Sequence, residues 1–146
     1  MRTFKPFENN DEISFIGNGL LDRSLPKSAW THAAHFAAAA WLLERRKDMD
    51  VARQMPGLIR AYNEATGVAN NDHGGYHETI TQASIRATRA FLAAHAGLEL
   101  FAAVNALMRS PLGQPEWLGA YWSRERLFSV EARRHWCEPD LAPLPY

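Results

Sequence analysis

The chain has 146 residues, 47% of them hydrophobic and 22% charged, enough for one domain to bury a core without disulfide or metal cross-links. Lys plus Arg and Asp plus Glu number 16 each, so there is no basic footprint of the kind that draws a protein to nucleic acid or to an anionic membrane. No apolar run approaches the roughly 18 to 20 residues that span a bilayer, so no membrane partner is expected.

The first residues lack the apolar stretch and small-residue cleavage site of a signal peptide. The one cysteine, Cys137, has no partner for an internal disulfide. Both features lead to the expectation of a cytoplasmic protein. Cys137, between Trp136 and Glu138 and far along the chain from the histidines, is expected to be chemically inert.

In chain order, residues 1–10 read as an irregular arm containing Pro6 and the polar run Glu8-Asn9-Asn10. Asp11 is a candidate N-cap for a short helix over 12–21 with Ile13, Ile16, Leu20 and Leu21 inward, weakened by Gly17 and Gly19. The strongest helical segment runs from Ser28 to Lys47. Its alanines, Ala37 to Ala40, suit close helix packing, and its basic end suits a helix C-terminus. At about 100° per residue, His32, His35, Phe36, Ala39, Leu42 and Leu43 form one stripe, with Trp30 and Trp41 toward other sides.

A further helix follows Asp50, started or kinked by Pro56. It carries Leu58, Ile59 and Tyr62 inward and stops at Gly67. Residues 69–75 read as a loop without the alternating acidic ligands of a calcium loop. The next helix is predicted from His77 to Ala96, with His77, Ile80, Thr81, Ser84, Ala87, Thr88, Phe91 and His95 on its inward stripe. Half of that stripe is polar, which costs free energy unless each group has a partner. Helices over 98–108 and 115–121 follow, then one after Ser123 with Leu127, Val130 and Ala132 inward. An extended tail covers 139–146. No segment alternates as a strand does, so the expected fold is a single all-α bundle of five to six helices.

Candidate chemistry gathers in Trp30-Thr31-His32-Ala33-Ala34-His35 and in Gly74-Gly75-Tyr76-His77-Glu78-Thr79-Ile80-Thr81. Imidazoles three apart on one helix face can offer two nitrogens to one ion. His77 would add a third ligand, and His73 or Glu78 a fourth, in the manner of bundle sites built from facing helices. The expected cofactor is a divalent transition metal: zinc, iron, nickel or copper. His95 lies about 27 Å further along its helix and cannot share that ion. Glu78 is read as a general base or ligand, against the alternative of a first-turn carboxylate favoured by the helix dipole. Thr81, Ser84 and Thr88 are read either as pocket hydrogen bonders or as small residues that admit a neighbouring helix, and Tyr62, Asn63 and Tyr76 either reach the pocket edge or are structural. Arg124, Arg126, Arg133 and Arg134, interspersed with Glu125 and Glu131, read as a solvated face.

These two blocks, with Ser129-Val130-Glu131-Ala132-Arg133 and Pro139-Asp140-Leu141, resemble a family of small, uncharacterised bacterial proteins over about residues 25–145. The Tyr76-His77-Glu78-Thr79 block is the most specific element. The resemblance implies a bacterial helical domain in which His32, His35, His77 and Glu78 work together, without naming an activity.

The expected function is therefore metal-assisted hydrolase or lyase chemistry on a small molecule, through an activated water or a polarised oxygen. The alternative is a non-enzymatic small-molecule binder. A third reading, an assembly module or homodimer, would use Trp30, Trp41, Trp117 or Trp122 as contact residues.

Overall fold

The computed structural model describes residues 4–146. Among these there are seven α-helices and no β-strand: α1 (Asn10–Asp22), α2 (His32–Arg45), α3 (Val51–Ala65), α4 (Glu78–Ala94), α5 (Leu100–Arg109), and the one-turn helices α6 (Arg124–Leu127) and α7 (Val130–Arg134). Short 3-10 turns over Lys27–Ala29, Pro111–Gly113 and Trp117–Ala120 connect them. The all-α bundle expected from the sequence is the observed architecture. Residues 1–3 of the expected arm lie outside the described residues; further along it, Phe7 is clasped through its backbone N–H and carbonyl by the Asn105 side chain of α5.

Polar caps set the helix starts. The Asn9 carboxamide accepts the Glu12 N–H at 3.0 Å, so α1 begins before the predicted Asp11. The Thr31 hydroxyl accepts the Ala34 N–H, so α2 starts at His32 rather than Ser28, whose own stretch is a 3-10 turn. The single helix predicted after Ser123 is two. It breaks at Phe128, and the Ser129 hydroxyl caps a second start by accepting the Ala132 N–H. Val130, expected inward, is exposed as a result.

Helix α2 is the central element, packed by α1, α4 and α5, with its alanines and Leu42 buried. Gly17, which propensity alone marks as a weakness in α1, is where α1 approaches α2: a Cβ there would lie 2.3 Å from the Trp41 ring. Trp41 is accordingly only 7% exposed, buried against α1 on a side of the helix away from the histidine stripe. The rigid approach of two helices over a bare backbone explains both residues.

Pro56 sits inside α3 and leaves the Ala52 carbonyl without its helical donor. The Gln82 side-chain amide of α4 supplies one at 2.7 Å, so the helix interruption becomes a tie between α3 and α4. At the carboxyl end, the Thr79 hydroxyl of α4 donates to the His135 carbonyl and accepts the Cys137 N–H, while Trp122 donates to the Cys137 carbonyl. The tail is held against the bundle by the Tyr121 carbonyl, which accepts the Leu141 N–H at 2.9 Å.

Candidate functional site

A cavity of about 330 Å3 opens between α2, α3, α4 and the turn that follows Pro115. Its polar wall is His32 and His35 from α2 and Thr81 and Ser84 from α4. The apolar wall includes Phe36, Met55, Ile59, Ile85, Trp117 and Leu118. Such a concave apolar space with a few polar groups on one side, at the lower end of the size range for ligand pockets, is the usual form of a small-molecule site.

Both imidazoles are fixed by backbone carbonyls. His32 donates Nε2–H to the Leu112 carbonyl at 2.9 Å, and its ring meets Phe36 edge-on. His35 donates Nδ1–H to the Thr31 carbonyl at 2.7 Å and packs over Trp30, centroid to centroid 3.9 Å. In their neutral forms, His32 Nδ1 and His35 Nε2 are therefore acceptors. His35 has water-accessible surface although protein surrounds it deeply, and the two facts agree because the ring borders the cavity. This setting pushes its pKa down to about 4, chiefly through burial; the Thr31 carbonyl opposes the shift and His32 adds to it.

His77 stands elsewhere and has another task. It is the N-cap of α4, with extended backbone rather than helical. Its Nδ1 accepts the Ile80 N–H at 3.2 Å, so its proton is on Nε2, which donates to the Leu127 carbonyl at 2.7 Å. Both nitrogens are engaged, and burial holds its pKa below the usual histidine value. His73 lies exposed in the loop, beside the Asp72–Arg134 ion pair. Among the described residues, no three His, Cys, Asp or Glu side chains are grouped as metal ligands would be. Of the four imidazoles singled out in the sequence, the fold brings His32 and His35 to one cavity.

Glu78, in the first turn of α4, accepts the Tyr76 hydroxyl at 2.5 Å and the Gln82 amide at 3.3 Å. Burial, then this bond to Glu78, raises the Tyr76 pKa, while the Thr81 hydroxyl bonds to the same phenol and acts the other way. The Arg60 guanidinium covers the Tyr76 ring at 4.6 Å. Tyr62 is buried with its hydroxyl donated to the Leu25 carbonyl at 2.8 Å. Tyr62, Tyr76 and Glu78 are thus not on the cavity wall, but Thr81 connects that wall to Tyr76 and Glu78.

Part of the apolar wall is not legible in the sequence. Trp117, by sequence a surface contact candidate, is 7% exposed and lines the cavity with Leu118. Trp41 and Trp122 are also buried. Pro115, whose ring fixes the backbone before the Trp117 turn, was the available signal. The arginines expected to be simply solvated have partners: Arg133 donates to the Gly75 and Tyr76 carbonyls, Arg126 to the Glu138 carbonyl, and Arg124 lies over Phe128.

The fold and cavity define an all-α domain with a cleft bordered by two histidines and two hydroxyl side chains. No family model matches this chain, and neither the curated proteins nor the solved structures yield a match. Among the described residues no helix is long and apolar enough to cross a membrane.

Proposed function

We propose that this chain binds a small, largely apolar molecule in the His32–His35 cavity. The support is the cavity itself: about 330 Å3, apolar on most sides, with four polar side chains gathered on one. A thermal-shift screen of metabolite-like compounds tests the reading, with Ser84→Phe as the control whose ring fills the space. Compounds that raise the melting temperature of the native chain but not of Ser84→Phe are the expected result, since ligands stabilise by binding the folded state alone. A screen in which no compound distinguishes the two proteins would refute it.

The orientation of the imidazoles favours a second reading. Histidines that hold a metal commonly donate their other N–H to a backbone carbonyl, as His32 and His35 do to Leu112 and Thr31. In this reading His32 and His35 would hold a zinc, iron, nickel or copper ion, which would supply the Lewis acidity for hydrolase or lyase chemistry. Glu78 would exchange protons with the cavity through Tyr76 and Thr81. Elemental analysis of the purified chain beside a His32→Ala/His35→Ala variant separates the readings: about one equivalent of metal lost in the variant supports the second, and no metal in either supports the first.

A further inference from the structure

We infer that the His32–His35 cavity selects an uncharged molecule that donates hydrogen bonds: an alcohol, phenol or N–H heterocycle with a compact apolar body. The inference rests on the small-molecule reading above and narrows it. It comes from following the protons of three polar side chains on the wall. His32 gives its N–H to the Leu112 carbonyl, His35 to the Thr31 carbonyl, and Ser84 its hydroxyl proton to the Ile80 carbonyl at 2.7 Å.

These three protons therefore point into the protein, and what remains for a ligand is lone pairs: Nδ1 of His32, Nε2 of His35, and the Ser84 hydroxyl oxygen. Among the described residues, no Lys, Arg, Asp or Glu lines the cavity.

This arrangement discriminates by charge and by proton. A carboxylate or phosphate would meet acceptors without a cation to balance it. An ammonium would give up its hydration with no carboxylate in return. An ether or ketone of the same shape would leave the imidazole lone pairs unpaired as water is displaced, which is how a polar site rejects an analogue lacking the matching group. A hydroxyl or N–H donor suits the wall best, since it can donate to an imidazole with its body against Phe36, Ile59 and Ile85. The low pKa of His35 keeps its ring neutral at physiological pH, which maintains the acceptor.

The test is isothermal titration of the purified full chain, at neutral pH, with matched probes. These are para-ethylphenol and indole as donors, para-ethylanisole and N-methylindole as their methylated counterparts, and para-ethylbenzoate as the charged member. The donors are expected to bind saturably, and their methylated counterparts roughly tenfold or more weakly. His35→Phe should bring the donors down to the level of the methylated compounds. Ser84→Ala, a milder change within α4, should weaken the donors while leaving the methylated compounds as they were.

Equal binding of donors and methylated counterparts would overturn the donor inference and leave the small-molecule reading standing, as would preferential binding of the benzoate. Absence of binding by every probe would overturn both. Tight zinc binding by the native chain, lost in His35→Phe, would overturn the inference in favour of a metal as the natural recipient of these lone pairs.

Discussion

His77→Ala is the change that most directly separates a structural from a ligating role for the most conspicuous histidine in the sequence. The native ring caps α4 through the Ile80 N–H and spans 50 residues to the Leu127 carbonyl, in a side chain only 7% exposed. Losing the cap costs about 1 kcal/mol. Leaving the Leu127 carbonyl buried and unpaired costs about 1 to 2 kcal/mol, and the space left by the imidazole adds roughly another 1. The sum is about 3 to 4 kcal/mol, which for a chain of this length lowers the melting temperature by about 10 °C. Urea unfolding followed by circular dichroism measures it. His77→Asn, which can still cap but cannot reach Leu127, should recover roughly 1 kcal/mol of the loss. A loss below about 1 kcal/mol in His77→Ala, with metal content or ligand binding changed instead, would refute the structural assignment.

Acid should weaken the fold in two stages. Unfolded His35 takes up a proton near 6.5 but folded His35 only at about 4, so in that window the unfolded chain binds more protons and stability falls as pH is lowered. The shift taken at face value is about 3 kcal/mol, but the ring touches water at the cavity, and screening reduces the expectation to about 1 kcal/mol. His77, also lowered, contributes with the same sign. Asp22, Asp48, Asp72 and Asp140 have lowered pKa values through bonds to Ser24, Arg46, Arg134 and Ser123, and their contributions are lost only below the usual carboxylate range. Melting temperatures from pH 7 to 5 should therefore decline in the native chain and less in His35→Gln; identical profiles would sink the assignment. Gln82→Ala should cost about 1 to 2 kcal/mol in urea unfolding, because it leaves the Ala52 carbonyl released by Pro56 without a donor. A neutral outcome would mean that water serves that carbonyl equally well.

The sequence made the two facing stripes legible because His32 and His35 lie within α2, and Thr81 and Ser84 within α4, where 100° per residue holds. The same count fails for His77, which precedes the first helical residue and whose extended backbone turns the ring toward Ile80 and Leu127. Periodicity cannot orient a residue outside the period, and at helix starts the cap chemistry decides instead. Thr31 illustrates this as well: the helical pattern reaches back to Ser28, but the threonine just before the histidines caps the helix and sets its start. The contribution of Trp117 and Leu118, over 80 residues from His35 in the chain, depends on where α5 and its following turns deliver the backbone. No local pattern contains that information.

The polar strip on α4 carries less functional weight than its sequence suggests, since its cost has already been met. Ser84 donates to the Ile80 carbonyl, Thr88 to the Ser84 carbonyl and Thr79 to His135, and among the described residues no buried side-chain nitrogen or oxygen lacks a partner. Satisfied hydroxyls of this kind occur in packed cores without any ligand. What packing leaves open beside them is a cleft of about 330 Å3, one of several hollows on the molecule and the one that these imidazoles and hydroxyls border. A chain that satisfies the protons of His32, His35 and Ser84 inward and keeps their lone pairs facing a cleft of that size has left its wall one kind of complement to recognise.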